Sequence, residues 1–522
     1  MHTSPAALRA LLFVASLVPM AAQTPSDQCD ANPPLSDPAS GPAWNGWGAD
    51  LSNSRFQTAK AAQMTAPQVA HLKLKWSFGL AGAKQVFGEP VVVAGRVFFS
   101  ADTGVVYSLD ANTGCVYWTF QADAGVRTAL SIRVAKQSSV AYLGDLKANV
   151  YALDAQMGTL LWKVNVDDHP TARITGAPQI FEDRVYVPVA SSEEGASSSP
   201  TYQCCTFRGS VVALDAATGK QVWKTWTIAD VPKVVSKNSN GVSRWAPAGG
   251  GVWNSPTIDP KRRALYVGTG DAFTAPAPKS TDAVIALDLD SGKILWSVQA
   301  TENDAWVVGC ISAKPLENCP KDFGPDQDFG SPPILRDLPG GQTLLIAGQK
   351  SGNVWAYDPD RRGAVVWRTA LVNNTKEFGG KIVWGGAADD QTAYFGLGTG
   401  GIGAVDIRTG ERKWFTPLAP TEDRAKHPGQ DGPLAEIPGV IFSGGFDGVL
   451  RALSASDGKV VWQFDTLREF QTLNGVAAKG GSIGSAGPVL AGGMLFVPSG
   501  YVGVRNGIPG NVLLAFASPP DQ

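Results

Sequence analysis

The stretch Val211–Trp223, VVALDAATGKQVW, is written repeatedly along the chain, returning as Val106–Trp118 (VYSLDANTGCVYW), Val150–Trp162 (VYALDAQMGTLLW) and Val284–Trp296 (VIALDLDSGKILW). Looser copies run from Val354 to Trp367 with one extra residue, from Ile402 to Trp414 and from Leu450 to Trp462. Each copy has an alternating apolar run, an Asp or Ser, a Gly four or five residues later, and a Trp ending a second apolar run. Period-two alternation on both sides of a turn whose Gly tolerates positive φ predicts a β-hairpin. Two further strands precede the hairpin, as in Ala177–Ala190 and Ser255–Gly270. Four strands per repeat make one blade of a β-propeller.

Counting the Trp at the end of the fourth strand sets the blade number. Trp76, Trp118, Trp162, Trp223, Trp296, Trp367, Trp414 and Trp462 make eight. The first has no hairpin before it, only LKLKWSF (Leu72–Phe78), while the strands predicted at Gly493–Pro498 and Asn511–Phe516 have no Trp after them. The two incomplete pieces complete one another. The predicted fold class is therefore all-β, an eight-bladed β-propeller whose N-terminal strand closes the last blade, which leaves no unpaired sheet edge between the first and last blades. The eight Trp are expected to pack between neighbouring blades.

A length of 522 residues would ordinarily imply several domains, but a repeat architecture overrides that rule, so residues 23–522 are expected to form one propeller domain. The 59 Gly, 36 Pro and 17% charged residues read as many tight turns around a well-buried core. A formal net charge of -2 gives no electrostatic case for a nucleic-acid partner. Residues 1–22 read as a signal peptide: Arg9 precedes the apolar run Leu11–Met20, and Ala21 and Ala22 follow. That run is too short to span a bilayer, and no other stretch is long and apolar enough. The expected location is periplasmic.

Export permits disulfides. Cys310 and Cys319, nine apart in a loop insertion, are expected to pair, and a Cys29–Cys115 pair is then one option that elimination leaves open. The adjacent Cys204 and Cys205 either join in an eight-membered ring or stay reduced or separately paired. No Cys-x-x-Cys-His occurs, so the chain carries no covalently attached haem c.

Eight Trp-terminated blades, the adjacent cysteines and the opening WNGWGADLSNSRFQ (Trp44–Gln57) resemble the pyrroloquinoline-quinone (PQQ) alcohol dehydrogenases. YQCCTFRGSVVALD (Tyr202–Asp215) and GPDQDFGSPPIL (Gly324–Leu335) are most similar to the polyvinyl-alcohol dehydrogenases among them. The resemblance implies PQQ on the propeller axis beside Ca²⁺, with a lanthanide as the alternative ion. It implies an alcohol substrate, secondary and bulky or polymeric, and electron transfer to a separate cytochrome c or other acceptor.

By the same resemblance, Arg127 in AGVRTAL matches an arginine that pairs with a cofactor carboxylate, a task suited to the bidentate guanidinium. Thr175 in ITGAP matches a threonine at the same cofactor edge, and Ser191 is a further expected cofactor contact. Trp253 follows three Gly and matches the indole floor beneath the quinone. The family's cysteine ring covers the opposite quinone face, which implies Cys204 and Cys205; here they lie a blade later than in methanol dehydrogenases. For the metal the resemblance implies Glu194, with Glu193 as the fallback, and Asp271 where methanol dehydrogenases have Asn; such hard oxygen ligands suit calcium. Asp328 is the expected base and Asp326 an assisting or metal-side carboxylate, the reverse order remaining open. Lys350 matches the cation that contacts the quinone. A carboxylate to take the alcohol proton and cations to stabilise negative charge are the parts such a reaction needs.

The competing reading is a cofactor-free scaffold propeller of the outer-membrane assembly type, which gives no reason for Arg127, Trp253, Lys350 and the Asp pair to coincide at axis loops. A metal-dependent hydrolase or lyase would want a His cluster, and the chain has four His in all, His2, His71, His169 and His427.

Overall fold

The repeat turn folds through its own side chains. In the third blade Asp215 Oδ1 accepts from Thr218 N at 2.9 Å and Thr218 Oγ1 at 2.6 Å, and Gly219 turns the chain back at φ +72°. The computed structural model describes residues 27–35, 41–134, 139–372, 381–418, 429–503 and 507–519. The expected signal peptide lies outside them, and among the described residues no helix is long and apolar enough to cross a membrane.

The molecule is an eight-bladed β-propeller. The innermost strands, in order, are Val91–Val93, Ser131–Arg133, Gln179–Phe181, Thr257–Asp259, Ile334–Asp337, Gly386–Ala388, Ala435–Ile437 and Val489–Ala491. Each begins an antiparallel sheet of four strands, and the third blade carries one additional short strand, Ala172–Arg173. The last blade is closed as expected: Lys73–Gly79 pairs with Val512–Ala517, with Trp76 opposite Ala515.

The blade-ending Trp join neighbours by hydrogen bond as well as by packing. Trp118 Nε1 donates to the Ala155 carbonyl (3.0 Å), Trp162 to Ala216 (3.1 Å), Trp223 to Leu289 (3.1 Å), Trp367 to Ile407 (2.9 Å) and Trp414 to Ala455 (3.0 Å), each in the next blade's turn. The turn Gly beneath each ring has a second duty. A Cβ on Gly219 would lie 2.7 Å from the Trp162 ring and one on Gly158 2.6 Å from Trp118, so the repeat needs Gly for clearance as well as for positive φ.

Residues 41–57 form a strap that visits the inner strands around the ring. Trp44 exchanges backbone hydrogen bonds with Val92, and the Asn45 side chain pairs with the Ile132 backbone. Leu51, Ser52, Ser54 and Arg55 carbonyls accept from Ile258, Leu335, Ala388 and Glu436, and Gln57 Nε2 donates to Leu490. Arg55 is fully buried between Trp44 and Trp47, 5.1 and 4.6 Å from their ring centroids, and pairs with Glu89.

All six cysteines are paired: Cys29–Cys115 ties residues near the strap to the first blade, Cys310–Cys319 closes a loop, and Cys204 joins Cys205.

Candidate active site

The loops that precede inner strands and follow second strands gather on one face of the ring, and three aspartates meet there. Carboxylate oxygens of Asp271, Asp326 and Asp328 lie within 4.8 Å of one another, all in buried side chains. Asp271 follows the strand Ala264–Gly268, while Asp326 and Asp328 precede Ile334–Asp337. The D-x-D segment is held from behind, since Asp304 accepts from the backbone of Asp326 (3.1 Å) and Gln327 (2.8 Å).

Two lysines enter this acid group. Lys350 Nζ is 2.6 Å from an oxygen of Asp326 and 2.6 Å from one of Asp328, and Lys381 Nζ is 2.7 Å from the other oxygen of Asp326. The Trp253 indole N–H donates to Asp328 Oδ2 at 2.9 Å. The two aspartates therefore differ. Burial alone would raise Asp326, but the paired ammoniums outweigh it and hold that carboxyl below its ordinary range. Burial dominates at Asp328, helped by the charge of Asp326, and raises it despite Lys350. Asp271 is pushed well above its usual value by burial and by Glu194, Asp328 and Asp326. Glu194 rises to about 7, through burial first, with Lys350 opposing and Asp326 and Asp328 adding to it.

The acids outnumber the ammoniums. Asp271 Oδ2 is buried without a hydrogen-bond partner among the described residues, as are both carboxylate oxygens of the neighbouring Asp282. A hard cation of charge two or three is what such an oxygen set accommodates.

Glu193 and Glu194 part company. Glu193 accepts from Thr206 N (2.8 Å), Phe207 N (2.8 Å) and the Tyr202 hydroxyl (3.0 Å), so it holds the segment that carries the cysteine ring, and Glu194 is left facing the charges of the cluster. Ser191 Oγ accepts from Glu193 N at 3.2 Å, a local turn contact. The Cys204–Cys205 ring packs with Phe207, Trp306, Val307 and the Cys310–Cys319 bridge.

The side chain that meets the Trp253 ring is Trp384, edge to face at 5.2 Å and 83°, while Lys350 Nζ stands 5.3 Å from the Trp253 centroid. Gly330 lies against the ring, for a Cβ there would fall 1.9 Å from its Cη2. Arg127 sits with its guanidinium carbon 4.2 Å from the Trp384 centroid. Arg127, Thr175, Trp253 and Trp384 line one narrow cavity on the axis with Trp47 and Glu89. A larger groove of about 560 Å³ lies off the axis, past Thr227, Pro276 and Pro278, and contains none of these groups.

Trp384 and Lys381 escaped the sequence reading. They stand just before the inner strand Gly386–Ala388, in GGKIVWGGA, the same place in the repeat as Trp253 and Asp328 in theirs. Applying that position rule to the sixth blade would have found them.

The family described as the glucose/ethanol/alcohol dehydrogenase β-propeller domain (PQQ) matches residues 44–320. A polyvinylalcohol dehydrogenase of Pseudomonas sp. is 39% identical over 96% of this chain and 81% of its own length. A second, from Sphingopyxis sp. (strain 113P3), is 38% identical over 95% of this chain and 79% of its own. Among solved structures, quinohemoprotein alcohol dehydrogenase ADHIIG of Pseudomonas putida HK5 superposes with a TM-score of 0.70 at 17% identity, covering 92% of this chain and 81% of that one, which is a likeness of fold. By its repeats, its sequence and the family match together, the chain belongs to the PQQ-dependent alcohol dehydrogenases.

Proposed function

We propose that the chain oxidises bulky secondary or polymeric alcohols, polyvinyl alcohol among them, to ketones or aldehydes after export to the periplasm. Residues 1–22 would be the signal peptide and residues 23–522 one propeller domain. The observation that carries the reading is the meeting of Asp328, Asp326, Asp271 and Lys350 beside Trp253, whose N–H fixes one aspartate.

The residues fit both absent groups. The partnerless Asp271 oxygen and the excess of carboxylates suit Ca²⁺ or a lanthanide, held by Glu194, Asp271 and Asp326. The flat Trp253 ring, with Lys350 above it and Arg127 and Thr175 at the cavity wall, suits a planar anionic quinone. Ser191 and the Cys204–Cys205 ring remain in the proposal as contacts from the third blade. When bound, PQQ supplies the two-electron acceptor, and the cation supplies a Lewis acid.

The chain's own work is then to position and to move a proton. Asp328, the carboxyl with the raised pKa, accepts the hydroxyl proton of the alcohol. Its Oδ2 is held by the Trp253 N–H and its Oδ1 by Lys350 Nζ at 2.6 Å, so the two contacts orient the carboxyl for that task. Lys350 and Lys381 keep Asp326 ionised, and Lys350 offers positive charge where negative charge develops. Electrons leave to a separate cytochrome c or similar acceptor. The test is reconstitution with PQQ and Ca²⁺, and in parallel with a lanthanide, followed by a dye-linked assay across primary, secondary and polymeric alcohols. Turnover on secondary and polymeric alcohols is expected; a reconstituted protein inert to every alcohol would refute the reading.

A further inference from the structure

Arg127 lines the axial cavity, and Arg173 comes from the adjacent blade, two residues before the cavity-lining Thr175. Arg127 precedes Ser131–Arg133, and Arg173 lies in the short strand opposite Ala190. Their following residues converge on one glycine: Thr128 Oγ1 donates to the Gly144 carbonyl at 3.3 Å, and a Cβ on Gly144 would lie 2.5 Å from Ile174 Cγ2.

Three other arginines of this protein, two of them buried, are well engaged. Arg55 donates to three backbone carbonyls and to Glu89, Arg262 grips Asp259 and Asp360, and Arg451 pairs with Asp447. Arg127 and Arg173 have no hydrogen bond or ion pair among the described residues, and Arg173 Nε is shielded from solvent without an acceptor. Burial lowers the pKa of both, and the charge of Arg127 lowers Arg173 further. Two like charges, each half-buried and without a counter-ion, are unfavourable neighbours unless a ligand brings one. Thr175, two residues after Arg173, lines the cavity that holds Arg127, Trp253 and Trp384, so the anion arrives beside flat aromatic walls.

We propose that Arg173 joins Arg127 in a two-arginine receptor for a planar aromatic ligand bearing more than one carboxylate. This inference rests on the PQQ reading, and PQQ, a planar tricarboxylate, is the ligand of that class. Arg127 takes one carboxylate while stacked on Trp384, and Arg173 neutralises a second from the neighbouring blade.

The experiment measures affinity, by quenching of tryptophan fluorescence in Ca²⁺, for PQQ and for its trimethyl ester in the wild type, Arg173→Gln and Arg173→Lys. Arg173→Gln should bind PQQ about 10- to 100-fold more weakly, the range of a charge-assisted hydrogen bond, with the ester nearly unchanged. Arg173→Lys should recover part of the loss, and ligand-free Arg173→Gln should melt no lower than the wild type because the repulsion from Arg127 is gone. An equal loss for PQQ and ester, or PQQ affinity within about twofold of the wild type, would overturn the receptor, the tolerance being that of ordinary surface changes. A wild-type protein that binds no PQQ would overturn the cofactor reading itself.

Discussion

The indole N–H of Trp253 donates to Asp328 Oδ2 at 2.9 Å, so the aromatic plane proposed to carry the cofactor also orients the proposed base. The two duties separate by substitution. Trp253→Ala should weaken PQQ binding by ~1–3 kcal/mol, of the order of losing a stacked aromatic at a binding site. Trp253→Phe keeps a ring and loses the donor, so PQQ affinity should change less than in Trp253→Ala while kcat falls about tenfold, the scale of one hydrogen bond to a charged group. Unchanged PQQ affinity in Trp253→Ala would remove Trp253 as the floor.

Asp328 and Asp271 should fail differently. Asp328→Asn preserves shape and removes the proton acceptor, so turnover should drop by about 10²–10⁴-fold with PQQ still bound. Asp271→Ala removes an oxygen without a hydrogen-bond partner among the described residues, the one proposed to hold the cation, and metal and PQQ should be lost together. Activity and occupancy measured side by side decide the matter. An active Asp328→Asn protein would move the base to Asp326.

Stability lies in the blade seams. Trp118→Ala should cost about 3–5 kcal/mol in chemical denaturation, as large aromatic truncations do, with PQQ affinity unaltered. Gly219→Ala should also destabilise, since its φ is +72° and its new methyl would meet the Trp162 ring. A wild-type midpoint in either variant would contradict the seam.

Gly330→Ala separates packing from chemistry. Its Cβ would overlap the Trp253 ring at 1.9 Å, so the ring must move and PQQ affinity should fall at least about tenfold, comparable to loss of an aromatic contact. Equilibrium dialysis with PQQ checks this, and wild-type affinity would show that the ring does not carry the cofactor.

Glu89 gives a pH signature. Burial outweighs Arg55 and lifts its carboxyl from 4.5 to about 7. With the folded pKa above the unfolded one, its stabilising contribution is fully present below about pH 4.5 and is lost as pH rises through about 7. Denaturation of the cofactor-free protein across that window should show the decline, and Glu89→Gln should flatten it. An equal slope in the variant would assign the dependence elsewhere.

The hairpins, the blade count and the closure by Lys73–Gly79 were legible because each rests on local alternation and a terminal Trp. The second role of the turn glycines was not, since the ring that presses on Gly219 belongs to Trp162 in another repeat. In the candidate site the acids and Lys350 were named through the family resemblance, in segments before or after inner strands, and the structure brings Asp271, Asp326, Asp328 and Lys350 together. The division between Glu193 and Glu194 depended on which faced Thr206 and Phe207, and no spacing rule contains that. Arg173 was hidden for a similar reason: its oddity is the absence of a partner, and a sequence records residues without recording who stands beside them.

The strap and the strand Lys73–Gly79 impose an order on biosynthesis. Both leave the ribosome ahead of the blades, yet Gln57 waits for Leu490 and Lys73–Gly79 waits for Val512–Ala517. The earliest-made described strand must therefore stay unsatisfied until almost the whole chain has followed, an exposed edge of the kind that invites aggregation. A circular permutant that fuses the closing strand directly after Val512–Ala517 would turn this longest-range pairing into a local hairpin. It should refold faster than the native order, because loop closure over hundreds of residues would no longer limit assembly.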